Sequence, residues 1–210
     1  SEIMLQQTHV EAVKPYFERF LKALPTVEDL AQAPEEQLLK LWEGLGYYNR
    51  VRNLQRGARA VMAEHGGVIP ASFEALKKLP GIGDYTAGAI GSIAFQIPVP
   101  AVDGNVLRVI SRVLYRRDNI LDAKVKRRIE GEIKEILPER NGDFNQSLME
   151  LGATVCLPNG APKCNECPLQ ELCRAHLVGD EESLPVKTKA KKRKIEQRTV
   201  FLLVCDGKIA

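Results

Sequence analysis

The stretch Leu79-Pro80-Gly81-Ile82-Gly83-Asp84-Tyr85-Thr86-Ala87-Gly88-Ala89, with Asp103-Gly104-Asn105 about one helix-length downstream, constrains this chain more than any other feature. Ser72 to Leu79 reads as a short helix with Phe73, Leu76 and Leu79 on one side. Pro80, Gly81 and Gly83 break it, and a helix of small residues starts at once. Glycine permits conformations and close approaches that a Cβ blocks. Free N–H groups at the start of the next helix carry a partial positive charge. Such a hairpin can hold a phosphate with backbone alone. Taken by itself it is equally an ordinary helical turn ended by glycine.

Apolar residues recur at helical spacing almost throughout. One helix is expected from His9 to Leu24, behind Thr8 as N-cap, with Val13, Phe17, Phe20 and Leu21 facing the core. Further helices are expected over 35–45, 48–65, 85–95, 106–115, 123–137 and 143–155, with prolines between them. The composition changes after about Leu177. Residues 178–197 are charged and read as a linker, and Thr199 to Cys205 reads as a β-strand opening another domain, with Cys205 in its core. The chain opens inside what reads as a motif and stops soon after that strand begins, so it is read as a piece cut at both ends.

With 210 residues, 44% hydrophobic and 27% charged, the composition is that of an ordinary globular chain. No apolar run approaches the roughly 18–20 residues of a membrane span, and no secretory signal opens the chain, so no membrane partner is expected. A net charge of +3 weakly favours nucleic acid. Its basic runs, Lys124 to Arg128 and Lys187 to Lys194, suit either a solvated face or a phosphate partner.

Four of the five cysteines, Cys156, Cys164, Cys167 and Cys173, fall within eighteen residues with spacing C-x7-C-x2-C-x5-C. A local set of four thiols points to metal or cluster ligation rather than packing. Disulfides do not fit what reads as an intracellular enzyme. Structural zinc sites often use two short knuckles, and only one Cys-x2-Cys is present here. An iron–sulfur cubane tolerates the uneven spacing better. Spacing leaves both open.

The hairpin, Asp103 and the cysteines together resemble the endonuclease III-like helix-hairpin-helix DNA glycosylases. Ser1-Glu2-Ile3-Met4-Leu5-Gln6-Gln7-Thr8 and Trp42-Glu43-Gly44-Leu45-Gly46-Tyr47-Tyr48 resemble the MutY family of adenine DNA glycosylases within them. The motifs run in order from Ser1 to about residue 176. The resemblance implies a mostly α, two-lobed glycosylase domain over 1–177, with DNA between the lobes and a [4Fe–4S] cluster on Cys156, Cys164, Cys167 and Cys173. The first cysteine loop, Leu157 to Lys163, is one residue longer than the common family pattern. A linker over 178–197 and the start of a Nudix-like α/β recognition domain over 198–210 would follow.

The implied reaction is monofunctional excision of adenine opposite 8-oxoguanine or guanine in base excision repair. Cleaving the glycosidic bond needs an acid for the leaving base and a carboxylate for the oxocarbenium-like sugar, the two-carboxylate logic of glycoside hydrolysis. Glu2 matches the acid that protonates adenine N7 and later helps activate water. Asp103 matches the carboxylate that stabilises the cation, directly or through a transient covalent bond. Tyr85 stands where bifunctional relatives carry a lysine nucleophile, and a phenol cannot form a Schiff base. Gln7 and Tyr47 match intercalating residues, Thr8 and Leu45 contacts around 8-oxoguanine, Gly81 and Gly83 the DNA clamp, and Gln146 the adenine pocket. The expected partner is double-stranded DNA bound by a monomer, and the expected location is intracellular, the nucleoid-bearing cytoplasm in a bacterium. Competing readings are a pyrimidine lyase or thymine-mismatch glycosylase, a non-enzymatic DNA binder, and a zinc-stabilised helical module.

Overall fold

A computed structural model describes residues 1–188 and, beyond them, the backbone of one short antiparallel strand pair, β1 (Val204–Cys205) and β2 (Lys208–Ile209). Residues 1–188 are helical: α1 (Glu2–Leu5), α2 (Val10–Ala23), α3 (Val27–Gln32), α4 (Glu35–Trp42), α5 (Asn49–His65), α6 (Phe73–Lys78), α7 (Asp84–Phe95), α8 (Gly104–Val113), α9 (Ala123–Glu135), α10 (Asn141–Thr154) and α11 (Arg174–Leu177). Short 3-10 turns cover Cys164–Glu166 and Gln170–Leu172. The expected helices are all present with ends shifted by a few residues, and α1, α3 and α11 are additions. The remainder of the strand expected over 199–205, the side chain of Cys205 and most of the basic run Lys187 to Lys194 lie outside the described residues.

The first lobe gathers α1 to α5 around Trp42, Leu38, Val51, Phe20 and Leu24. Phe20 and Trp42 meet edge to face with ring centroids 6.0 Å apart, a preferred aromatic geometry. Leu21, expected in this core, is 46% exposed and lines an open apolar groove with Phe17 and Leu24. Thr8 does not cap α2. His9 holds the cap position without a side-chain bond, and the Thr8 hydroxyl is drawn instead to Arg50.

The hairpin rests on Val61, Leu76, Leu79 and Ala87, with Phe73 and Ile82 at the edge, which places the apolar side of α6 as its spacing predicts. Ser72 caps α6 through its hydroxyl.

The second lobe packs α8, α9 and α10 around Val106, Val109, Ile120, Ile129, Ile133 and Leu148. Within the stretch read as a linker, residues 178–188 lie on this lobe. Leu184 is buried with Cys173 and Ala175, and the Val186 carbonyl accepts the Ile120 N–H at 3.1 Å.

The lobes meet where α7 packs on α10, and small residues make that possible. A Cβ on Gly142 would come 2.6 Å from the Ser92 carbonyl oxygen, and one on Gly88 would strike the Pro100 carbonyl. Buried Asn145 of α10 braces the segment between α7 and α8: its Oδ1 accepts the Ala101 N–H at 3.1 Å and its Nδ2 donates to the Val99 carbonyl at 2.9 Å. That segment leads straight to Asp103.

Candidate active site and thiol pocket

Three sequence-predicted residues converge at the lobe junction. Glu2 opens α1, Tyr85 lies in the first turn of α7, and Asp103 is the N-cap of α8. The Tyr85 hydroxyl reaches Glu2 Oε2 at 3.4 Å and Met149 Sδ at 3.2 Å. Burial, and after it the negative charges of Glu2 and Asp103, hold the Tyr85 phenol well above its ordinary pKa. It therefore stays a neutral donor between two carboxylates.

Asp103 is pinned. Its Oδ1 accepts the N–H groups of Asn105 at 2.9 Å and Val106 at 2.8 Å, and its Oδ2 accepts Asn105 Nδ2 at 2.8 Å. Asn105 Oδ1 in turn accepts Arg108 Nη2 at 2.9 Å. Arg108 continues to the Gly152 carbonyl at 2.6 Å and, through Nε, to the Cys156 carbonyl at 2.7 Å. One line of hydrogen bonds thus runs from Asp103 to the first cysteine. Sequence reading missed Asn105, Arg108 and Met149. The available signal was Arg108 and Arg112, four apart within the otherwise mostly apolar α8.

The exposed edge of the first lobe presents Gln7 and Tyr47 on either side of one cleft. Both have left-handed backbone, φ 57° and 49°, which is uncommon for residues with side chains and marks sharp turns that push the side chain outward. Tyr47 is 62% exposed. Both turns are held from beneath by Arg50, buried and absent from the sequence reading. Its guanidinium donates to the carbonyls of Met4 at 2.8 Å, Leu45 and Gly46 at 3.3 Å each, to the Gln6 carbonyl, and to Thr8 Oγ1 at 3.1 Å. It also stacks between Trp42 and Tyr47. Leu45 is buried in the first core cluster. Gln146 is exposed on α10, its amide given to Glu150 Oε1 at 2.9 Å.

In the hairpin only Gly81 needs to be glycine for its own conformation. Its φ is 81°, and a Cβ there would come 2.8 Å from Asn53 Cβ. Gly83 has extended backbone and open space around it, so its small size leaves room for a ligand rather than relieving a local clash. Of the two lysines ending α6, Lys77 pairs with Asp84 at 2.7 Å, offsetting the acid in the first turn of α7.

All four predicted thiols line one small, partly open pocket under Arg112, with His176 and Glu181 on its wall, and all four are free. Buried Arg112 donates from Nη1 to Cys156 Sγ at 3.2 Å and to the Leu157 carbonyl at 2.9 Å. Its Nε donates to the carbonyls of Glu181 at 2.8 Å and Leu184 at 3.0 Å. Burial, then the Glu181 carboxylate, pushes the Cys164 thiol up to about 11, and burial also raises Cys173. A cation held among the four thiols would reverse the penalty on Cys164 and Cys173. The residues present fit a cluster of four-thiol ligation. Among the described residues, Cys164, His176 and Glu181 also place ligand atoms within 4.8 Å of one another, and no helix is long and apolar enough to cross a membrane.

A family model described as HhH-GPD superfamily base excision DNA repair protein matches residues 1–135. The adenine DNA glycosylase of Rattus norvegicus is 51% identical over 178 residues, covering 84% of this chain and 34% of that protein. The Homo sapiens adenine DNA glycosylase is 48% identical over 186 residues, 88% of this chain and 34% of that protein. That of Buchnera aphidicola subsp. Baizongia pistaciae is 39% identical over 202 residues, 96% of this chain and 56% of that protein. The chain spans about a third of the mammalian relatives and just over half of the bacterial one. Among solved structures, a thermostable thymine-DNA glycosylase superposes with a TM-score of 0.75 at 30% identity, covering 84% of this chain and 82% of that one. An endonuclease III trapped as a covalent intermediate with DNA superposes with a TM-score of 0.72 at 28% identity, covering 84% and 82%.

Proposed function

Because the chain belongs to the HhH-GPD superfamily of base excision DNA repair proteins, we propose that it is a monofunctional adenine DNA glycosylase, acting on adenine opposite 8-oxoguanine or guanine in double-stranded DNA. The observation that carries this reading is the convergence of Glu2 and Asp103, from distant segments, on the protonated phenol of Tyr85. A lysine there would make a lyase. A phenol can donate a hydrogen bond but cannot form a Schiff base. The similarity to adenine DNA glycosylases supports adenine as the base.

The roles follow from how each group is held. Asp103, fixed by three donors, presents a negative charge to the sugar as the glycosidic bond lengthens. Among the described residues the Glu2 carboxyl has a single hydrogen-bond partner, the Tyr85 hydroxyl, so it is free to deliver a proton to adenine N7 and take one from water. Tyr47 and Gln7 fill the gap left by the flipped base, with Thr8 and Leu45 beneath them at the estranged partner, and Gln146 borders the pocket that receives adenine. The amides of Gly81 and Gly83 clamp the DNA backbone at the start of α7. Cys156, Cys164, Cys167 and Cys173 would hold a [4Fe–4S] cluster, which when bound cross-links the C-terminal loop. The same proposal includes a Nudix-like recognition domain beginning at about residue 198, almost wholly outside the described residues.

The test uses the intact protein and a duplex with one adenine opposite 8-oxoguanine, each sample split in two. A strand break only after hot alkali means base removal without lyase chemistry, as Tyr85 requires. Cleavage without alkali refutes the monofunctional mechanism. No product here, with cutting at another mispair, refutes the substrate.

A further inference from the structure

The phenol of Tyr85 has one proton and two acceptors within reach, and the nearer is not a catalytic carboxylate but the Met149 sulfur, at 3.2 Å against 3.4 Å for Glu2 Oε2. We propose that Met149 is a positioning residue for Tyr85, holding the phenol with a deliberately weak acceptor so that its proton stays available to Glu2. The proposal rests on the glycosylase reading above.

A thioether accepts hydrogen bonds poorly, whereas a carboxylate is a strong acceptor. A phenol between the two is located by both and committed to neither, so a small rotation of its O–H turns the hydrogen bond to Glu2 when that carboxyl is ionised, the phenol keeping its proton. A stronger acceptor at 149 would capture the proton. The site is built for this choice. Asn145, Leu148 and Gly152 of α10 face the core, the Ala101 segment and α8. Gln146, one turn before Met149 on the same helix, gives its amide to Glu150. Met149 is the side chain of α10 that reaches the phenol, and its flexible thioether fills the half-buried gap between α7 and α10.

The experiment is a double-mutant cycle between Met149→Gln and Tyr85→Phe, read as the single-turnover rate of base release from whichever mispair the wild-type protein opens. Glutamine has similar length but offers a carbonyl oxygen. We expect Met149→Gln to slow base release about tenfold, the equivalent of one hydrogen bond of about 1.4 kcal/mol, with unchanged affinity for the duplex. In the Tyr85→Phe background the same substitution should cost nothing further, and Met149→Leu, which removes the weak acceptor without supplying a strong one, should slow base release about threefold, again only while the phenol is present. An equal loss with and without the phenol, or none in either, overturns the proposal. If Met149→Gln does not fold, the pair Met149→Leu and Tyr85→Phe decides: non-additive effects support the inference and additive ones refute it. The wild-type substrate tests the glycosylase reading separately, since activity on another base would refute adenine and leave the cycle measurable.

Discussion

Replacing Asp103 by asparagine and by alanine separates its two jobs. Asparagine keeps the cap on α8, because an amide oxygen accepts the N–H groups of Asn105 and Val106 as a carboxylate does. It cannot keep the other side. Its NH2 would replace Oδ2 and face the NH2 of Asn105, now 2.8 Å away. Asn105 cannot turn over, because its carbonyl oxygen takes Arg108 Nη2 at 2.9 Å and a flip would set an amide NH2 against a guanidinium. One hydrogen bond is lost and two donors oppose each other in a half-buried place, which costs about 1–2 kcal/mol. Alanine loses the cap, about 1 kcal/mol, and the Asn105 hydrogen bond, about 1 kcal/mol, but sets no donor against Asn105. In a protein of this size each kcal/mol lowers Tm by about 2–4 °C, so asparagine should cost about 2–8 °C and alanine about 4–8 °C. Both should abolish base release while retaining duplex affinity. Thermal melts, single-turnover kinetics and binding to a duplex carrying a non-cleavable adenosine analogue read the three quantities. An Asp103→Asn protein as stable as wild type refutes the Asn105–Arg108 argument. One that releases base normally, or that only loses binding, refutes the catalytic assignment.

Other outcomes follow from the same geometry. Arg50→Lys loses the fork that joins six acceptors and should destabilise the first lobe by about 2–4 kcal/mol, measured by urea unfolding, because buried carbonyls are left unpaired. Tyr47→Ala should leave Tm within about 2 °C, since the ring is exposed, yet slow base release from duplex DNA more than from a substrate whose base is already unpaired. Gly152→Ala places a Cβ 2.6 Å from Asn105 Cβ and 3.0 Å from its Cα; the strain, about 1–3 kcal/mol, should shift Asn105 and lower base release without touching any DNA contact. Purified protein should contain about four irons, absorb visible light and carry little zinc; a colourless zinc protein would instead point to the donor set of Cys164, His176 and Glu181.

Helices were legible wherever an apolar stripe ran three turns or more, as in α2, α5 and α9. The four-residue α1 and α11 are too short to show a period, and α3, as short as α6, is marked chiefly by a capping box between Thr26 and Asp29. The carboxylates, Tyr85 and the cysteines stand in local motifs, and a motif is a sequence object. The groups that hold them in place are not. Arg50 reads as one more charge at a helix start, yet it is buried because the loops on both sides have carbonyls to satisfy. In Phe144-Asn145-Gln146 the reading selected Gln146, while the buried brace is Asn145; nothing in three consecutive residues says which faces the Val99–Ala101 segment. Leu21 has core spacing on α2 but opens onto a groove, a property of what lies opposite rather than of the helix itself.

The two carboxylates differ in how firmly they are held, and that difference supports the roles proposed for them. A group that stabilises a growing positive charge works best when its own position costs nothing to maintain as the charge appears. Asp103 meets this condition because it caps α8: the helix start and the Asn105 side chain, itself held by Arg108, fix it. A group that carries a proton first to a base and then from a water must meet two positions in turn, and rigid anchoring would defeat it. Glu2 lies in the first turn of α1, and among the described residues its carboxyl is bonded by a single long contact from a phenol that has another acceptor to turn to. Exchanging the roles would ask the anchored carboxylate to move and the loose one to stay still. This difference in anchoring supports the proposal that Glu2 is the acid and Asp103 the fixed charge.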